Sequence, residues 1–422
     1  MATRNKAPSS GRRTRVLMTT STLPRWEGDT EPRFVLDLAR SLLPKVDVEL
    51  LAPHTAGAAV QETLEGIAVR RYRYWIPRWQ SASYQGGMMQ RLRQNRWRTL
   101  QIPFFFMAQI WTIARRLRQE NPVDVIHAHW LLPQGLAAVL ARRLARRPEV
   151  RIVCTSHGGD LYGLRGRLMA RIKRWIISQC DEITVVSHAM SQAIKALQPH
   201  SNPTIIPMGT DLEARFTPDP NNSLRDPNHL IVVGRLVEKK GIRFLLEALA
   251  LCDSVGRPTL DVVGHGPLRA ELESLSIHLG LENYVRFLGA CPHDELPQHY
   301  RRAAIAVFPF IEADDGDQEG FGLVMVEAIG CGCTVLASDL PAVRDVLPTA
   351  DIGLRVPPED PEELVKAILD LIRNPATSRR LAKNARAYAL SHFSWRIIGD
   401  RYRRLLSEPS DVGHDPDDAL SH

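Results

Sequence analysis

The 422-residue sequence has only six cysteines, at positions 154, 180, 252, 291, 331 and 333, and none of them form a CxxC pair. So sparse a set excludes the dense disulfide framework of small secreted domains, and reduced thiols are expected. The segment before Val16 is polar and basic and has no apolar stretch, so no secretory leader is expected. The apolar run "IPFFFMAQIWTIA", Ile102 to Ala114, is too short to cross a bilayer, which takes about 20 residues. The first strand is not followed by a G-x-G-x-x-G turn, and "GHGPLR" (264–269) has no third glycine. Both features count against a dehydrogenase.

Acidic residues are missing between Arg70 and Arg118, where eleven arginines stand among Trp75, Trp79, Trp97, Trp111 and Phe104-Phe105-Phe106. Residues 1–210 carry 31 Lys and Arg against 14 Asp and Glu, a net +17; the remainder carry 23 against 33, a net −10. Arginine interleaved with tryptophan suits an anionic membrane surface, because indoles sit at headgroup depth and guanidiniums pair with phosphates. A core helix beside a solvated basic face is the plain alternative. Nucleic acid is not expected as a partner, since no recognition module accompanies the arginines.

At 44% hydrophobic and 24% charged residues, the composition is that of an ordinary globular protein, and the length exceeds what one core holds. Apolar runs at 15–21, 47–53, 123–130, 150–156, 182–187 and 203–209 alternate with amphipathic helical patterns such as Phe34–Leu43 and Leu136–Ala145. A Pro-, Asn- and Asp-rich stretch follows Gly209, and the alternation resumes at 230–235, 260–266, 285–289, 305–310 and 333–339. Helical patterns at Ile242–Leu251, Leu268–Leu279, Leu296–Ala303, Leu323–Cys331 and Pro361–Arg373 separate these runs. The expectation is an α/β protein of two doubly wound parallel-sheet domains facing a cleft.

Two stretches of the second half carry chemistry. In "QEGFGLVMVEA" (318–328), Glu319 and Glu327 flank Gly320-Phe321-Gly322 and the start of a helix at Leu323. The glycines let the backbone approach a ligand, and the unpaired N–H groups of the helix start favour a diphosphate. The two carboxylates are placed to accept hydrogen bonds from polyols on either side of it. In "VVGRLVEKKGI", Arg235, Lys239 and Lys240 precede a second helix and suit a phosphate group. A capped helix with exposed glutamates and a basic loop are the plain readings of these stretches taken singly.

Together these stretches resemble the Glu-x7-Glu signature and the Arg/Lys segment of the retaining family 4, or "group 1", glycosyltransferases. "MGTDLEARF", "VVGHGPLRAELE" and "GCGCTVLASDLPAVRDVL" are similar to further segments of that family. The resemblance implies the GT-B architecture: a basic tail at 1–14, an acceptor-binding Rossmann-like domain at 15–208 and a donor-binding one at 209–390. A helix at 391–407 would cross back to the first domain, before a tail at 408–422. It further implies that Glu319 touches the donor sugar and that Phe321, Gly322 and Leu323, following Gly320, offer backbone N–H groups. Glu327 would hold the ribose, Arg235 and Lys240 the leaving diphosphate, and His157 of "TSHGGD" would reach the sugar from across the cleft. Gly264, Gly266 and Leu288 join the donor side. In place of the family's Gly-Gly turn after the first strand stands "TLPRWEGDTEPRF", with only Gly28. Gly28, Asp29, Arg33, His129 and Asp160 are the acceptor-side candidates.

The expected function is retaining transfer of a hexosyl unit from a UDP- or GDP-linked sugar to a glycan or lipid-linked acceptor in envelope or glycolipid synthesis. The protein would work at the inner face of the cytoplasmic membrane, with no metal or other cofactor. The acidic run "EADDGDQE" (312–319) is read as a mobile solvated loop rather than a cation site. A nucleotide-sugar isomerase or hydrolase of the same fold, or a non-catalytic nucleotide-sugar-binding adaptor, are the alternatives.

Overall fold

Strands buried on both faces read as unbroken apolar runs, and the chain uses such strands to build two parallel sheets. A computed structural model describes residues 12–81, 83–84, 95–220, 225–253 and 255–408. The tail residues 1–11 and 409–422, and Arg91 and Arg93 of the basic segment, lie outside the described residues.

Among the described residues, the first sheet comprises β1 (Arg15–Thr19), β2 (Asp47–Pro53), β3 (Gln61–Leu64), β4 (Ile67–Tyr72), β5 (Val125–His129), β6 (Arg151–Ser156), β7 (Glu182–Val185) and β8 (Thr204–Ile205). Their order is β3-β4-β2-β1-β5-β6-β7-β8, parallel throughout except for the β3–β4 pair. The second sheet takes β9 (Asp226–Val233), β10 (Thr259–Val263), β11 (Val285–Gly289), β12 (Ala303–Phe308), β13 (Thr334–Ser338) and β14 (Leu354–Val356). Its order is β11-β10-β9-β12-β13-β14. The strand order reverses at β1/β5 and again at β9/β12, and each reversal opens a crevice at the strand C-termini. These two crevices position the site.

The expected runs fall on strands, with two additions. The β3–β4 hairpin turns at Glu65-Gly66, both with positive φ (49° and 85°), as a two-residue hairpin turn of the mirror-image type requires. Glutamate is an unusual first residue for that turn, so no Asn-Gly or Asp-Gly signal marks it. Strand β14 is too short to carry an alternation.

Two segments cross between the halves side by side. Thr210 pairs with Ser394 in a short parallel bridge, and its N–H donates to the Phe393 carbonyl at 2.8 Å. The Trp395 ring covers the α-carbon of Gly209 so closely that a Cβ there would sit 2.5 Å from it. The helix Trp395–Ser407 then lies on the first half. Tyr402 is fully buried, and Arg401 donates to the Ile205 carbonyl at 2.6 Å.

Candidate functional site

Gly234-Arg235 directly follow strand β9, and the loop after them brings Lys239 to Asp317 and Gln318 and Lys240 to Glu319. Lys240 Nζ donates to Glu319 Oε2 at 2.6 Å and lies 4.5 Å from the centre of the Phe310 ring. Burial alone would push the Glu319 carboxyl up, but the ammonium groups of Lys240 and Lys239 outweigh it and hold its pKa down at about 2. Burial lowers the pKa of Arg235, against the pull of Asp317 and of Glu31 from the first half. Gly234 has the Lys240 stem against its α-carbon, while Gly264 and Gly266 face the backbone of Gly234 and Leu236. These glycines therefore let the β9 and β10 loops pack closely enough to present Arg235 and Lys240 together.

The helix Leu323–Gly330 begins at Gly322, whose φ of 85° is the left-handed conformation that favours glycine. Among the described residues, the backbone N–H groups of Phe321, Gly322 and Leu323 donate to no protein acceptor. An unsatisfied helix N-terminus with two lysines and an arginine nearby is an anion-binding arrangement. The Phe321 side chain turns away and packs edge-on against Phe393 at 5.3 Å. Glu327, on the same helix, is only 5% exposed, and its carboxylate is held by His293 at 3.2 Å and the Tyr300 hydroxyl at 3.4 Å. Leu288 is 41% exposed at the end of β11.

From the first half, His157 meets this site. The loop after β6 places the His157 carbonyl and Gly158 against Gly320, where an added Cβ would lie 2.7 Å from that carbonyl. Glycines at 158 and 320 are what permit two backbones to touch across the cleft. The His157 ring stacks on His129 with Nε2 to Nδ1 at 2.9 Å, and lies 5.0 Å from both Phe34 and Trp130. Burial, with the neighbouring His127, holds the His157 pKa down at about 3, and burial does the same for His127. Trp130 itself has φ of 80°, an uncommon conformation for a bulky residue.

Apart from Gly28, the acceptor-side candidates are each held by protein partners. The Asp29 carboxylate accepts from the Arg25 backbone and guanidinium at 2.6–2.8 Å, stapling its own loop. Arg33 is spent on Asp37 at 3.0 Å and Glu65 at 2.8 Å, joining a helix to the hairpin turn. Asp160 is buried and accepts from the Leu131 N–H, the Ser156 hydroxyl and the His157 N–H at 2.7–3.2 Å, so it orients the His157 loop. His129 is fully buried behind His157. Of that group, only Gly28 keeps an open surface. The acidic run is likewise pinned rather than loose. Arg165 donates to the Gly316 carbonyl at 2.9 Å, and Lys239 to Asp317 at 3.1 Å. The Asp314 N–H donates to Glu238 at 2.9 Å. Residues that the sequence did not single out for the site are Glu31, Phe34, Trp130, His293 and Tyr300. None of them sits in a motif.

On the first half's surface, the helix Ile102–Leu117 turns Phe104, Met107 and Trp111 outward, at 46%, 55% and 59% exposure. Trp79 and Trp97 stand exposed beside it and line an open groove with Arg78 and Arg98. Among the described residues no helix is long and apolar enough to cross a membrane, and no group of three or more His, Cys, Asp or Glu is arranged to hold a metal.

Comparison with known proteins bears on the family and the fold. A model described as Glycosyltransferase Family 4 matches residues 32–214, and one described as Glycosyl transferases group 1 matches residues 214–388. The GDP-mannose-dependent alpha-(1-6)-phosphatidylinositol monomannoside mannosyltransferase of Mycolicibacterium smegmatis is 28% identical, over 82% of this chain and 93% of that protein. The fold matches sucrose-phosphate synthase from Thermosynechococcus elongatus, with a TM-score of 0.73 at 22% identity over 93% and 98% of the two chains. It also matches Anabaena Alr3699/HepE, solved in complex with UDP and glucose, with a TM-score of 0.70 at 19% identity over 94% and 100% of the chains.

Proposed function

The chain belongs to the group 1, family 4 glycosyltransferases of GT-B fold, and we propose that it transfers a hexosyl unit with retention of anomeric configuration. The donor is a nucleotide diphosphate sugar, and the acceptor is a hydroxyl of a glycan or lipid-linked molecule at an anionic membrane surface. The observation that carries this reading is the Lys240–Glu319 pair, 2.6 Å apart, beside the open N-terminus of the helix Leu323–Gly330 and facing His157.

As the glycosidic bond to the diphosphate breaks, negative charge grows on the leaving group and positive charge on the sugar. Arg235, Lys240 and the N–H groups at 321–323 stabilise the former; losing one such donor typically costs about 10²–10³ in rate. Glu319, ionised at every working pH by its lysines, faces the latter without needing to form a covalent bond. The acceptor hydroxyl approaches from the side of His157, Phe34 and Trp130, and a diphosphate oxygen takes its proton. Glu327 holds the ribose, and Gly264, Gly266 and Leu288 border the base. No metal takes part in this scheme, because the cations of the protein itself neutralise the diphosphate.

Support for the acceptor class comes from the exposed Phe104, Met107 and Trp111 stripe amid arginines and from the lipid acceptor in the name of the mycolicibacterial relative. The isomerase, hydrolase and adaptor readings have no comparable support. A thermal-shift screen of UDP- and GDP-sugars identifies the donor, and proton NMR of the product reads its anomeric linkage. An inverted linkage, or donor consumption that needs no acceptor, defeats the proposal.

A further inference from the structure

Glu327 does not stand by itself in its pocket. His293 Nε2 lies 3.2 Å from Glu327 Oε1, and Arg215 Nη1 lies 3.1 Å from His293 Nδ1. A guanidinium can only donate, so His293 Nδ1 accepts and the ring proton sits on Nε2, directed at the carboxylate. The ring is fixed edge-on by the buried Phe216 at 5.1 Å, and Arg215 is braced by Asp294 at 3.1 Å. His293 is 23% exposed at its side chain and Glu327 only 6%, so this chain of bonds is largely screened from water.

Arg215 and Phe216 belong to the turn that directly follows the crossing at Gly209-Thr210. That turn is closed by Phe216 N–H to Asp211 carbonyl at 2.8 Å. It is clamped by Arg386, which donates to the carbonyls of Leu212 at 3.1 Å and Gly330 at 2.5 Å, the latter ending the helix that carries Glu327. An added Cβ on Gly330 would meet Leu212 at 2.6 Å, so the turn and the helix are in direct contact.

We propose that Arg215 and His293 are positioning residues: a guanidinium–imidazole–carboxylate chain sets the Glu327 carboxylate for the ribose hydroxyls and ties that grip to the segment crossing between the halves. The inference rests on the proposed ribose role of Glu327. Losing a hydrogen bond to a charged group in a screened site weakens binding by roughly ten- to a hundredfold.

The test uses the whole protein and calorimetry with UDP and GDP, taking the one that wild type binds more tightly, together with its 2′-deoxy form. His293→Phe is expected to weaken the ribonucleotide by roughly ten- to a hundredfold and the deoxy form by less than about threefold. His293→Gln, whose amide can both donate to Glu327 and accept from Arg215, is expected to stay within about threefold of wild type. Arg215→Met is expected to show the same ribose-dependent loss and keeps the test open if His293→Phe does not fold. Equal losses for both nucleotides, or no rescue by His293→Gln, overturn the proposal. Glu327→Gln separates the two levels. If it loses ribose discrimination while His293→Phe and Arg215→Met keep it, only the positioning role is wrong; if it keeps discrimination, the ribose assignment fails and takes the positioning role with it.

Discussion

Replacing Lys240 with methionine keeps most of the stem that packs on Gly234 and Phe310 while removing the charge that holds Glu319. The Glu319 carboxyl lies at about 2 against an ordinary 4.5, a gap worth roughly 3 kcal/mol at 1.36 kcal/mol per pH unit. Because the folded pKa is depressed, this stabilisation is present above the unfolded value near 4.5 and fades as pH falls toward 2. The variant should therefore lose up to about 3 kcal/mol in urea unfolding at pH 7 and much less at pH 3, where the buried carboxyl of the variant is protonated. Turnover with the best nucleotide sugar should fall about 10²–10³-fold if, as proposed, the same ammonium stabilises the leaving diphosphate. Unchanged turnover would show that Lys240 does not touch the phosphates. A stability loss equal at pH 7 and pH 3 would show that the pairing with Glu319 is not what the ammonium contributes.

Gly320→Ala places a methyl group 2.7 Å from the His157 carbonyl, so it should hold the halves apart. Donor binding by calorimetry should stay within about threefold while kcat falls at least about tenfold, because misplacement by an ångström alone can cost that much; an unchanged kcat contradicts the backbone contact. His127 and His157 titrate at about 3 when folded and near 6.5 when unfolded, so the unfolded chain takes up their protons first. Stability should fall on acidification from about pH 6.5, by up to about 1.4 kcal/mol per pH unit for each; His127→Phe should reduce that slope in denaturation at pH 7 and pH 5. Phe104→Ser with Trp111→Ser should abolish partition onto anionic vesicles at low salt; equal partition of variant and wild type would remove the membrane role from this stripe.

The sheets were legible because strands buried on both faces announce themselves as apolar runs, as "LIVVGR" and "VRIVCTS" do. The β3–β4 hairpin was not, because its turn depends on Glu65 adopting a positive φ that its side chain does not advertise. Lys240 and Glu319, far apart in sequence, were singled out by their motifs, and the structure pairs them at 2.6 Å. For the acceptor-side candidates, the structure adds the partners that spacing does not reveal. Asp29 is paired with Arg25 of its own loop, Arg33 with Glu65 of the hairpin turn, and Asp160 with the backbone N–H of Leu131. A sequence displays a charge but not its partner. His293 was invisible for the converse reason: a single histidine in "CPHDEL" gains significance only once Arg215 and Glu327 flank it.

The account turns on where the donor's diphosphate lies, and a crystal structure with the best-binding nucleoside diphosphate measures that directly. The diphosphate oxygens should lie about 3 Å from the N–H groups of Gly322 and Leu323 and from Lys240 Nζ, with the ribose hydroxyls on Glu327. A nucleotide bound on the first half, or one whose phosphates leave Lys240 paired only with Glu319, would contradict it.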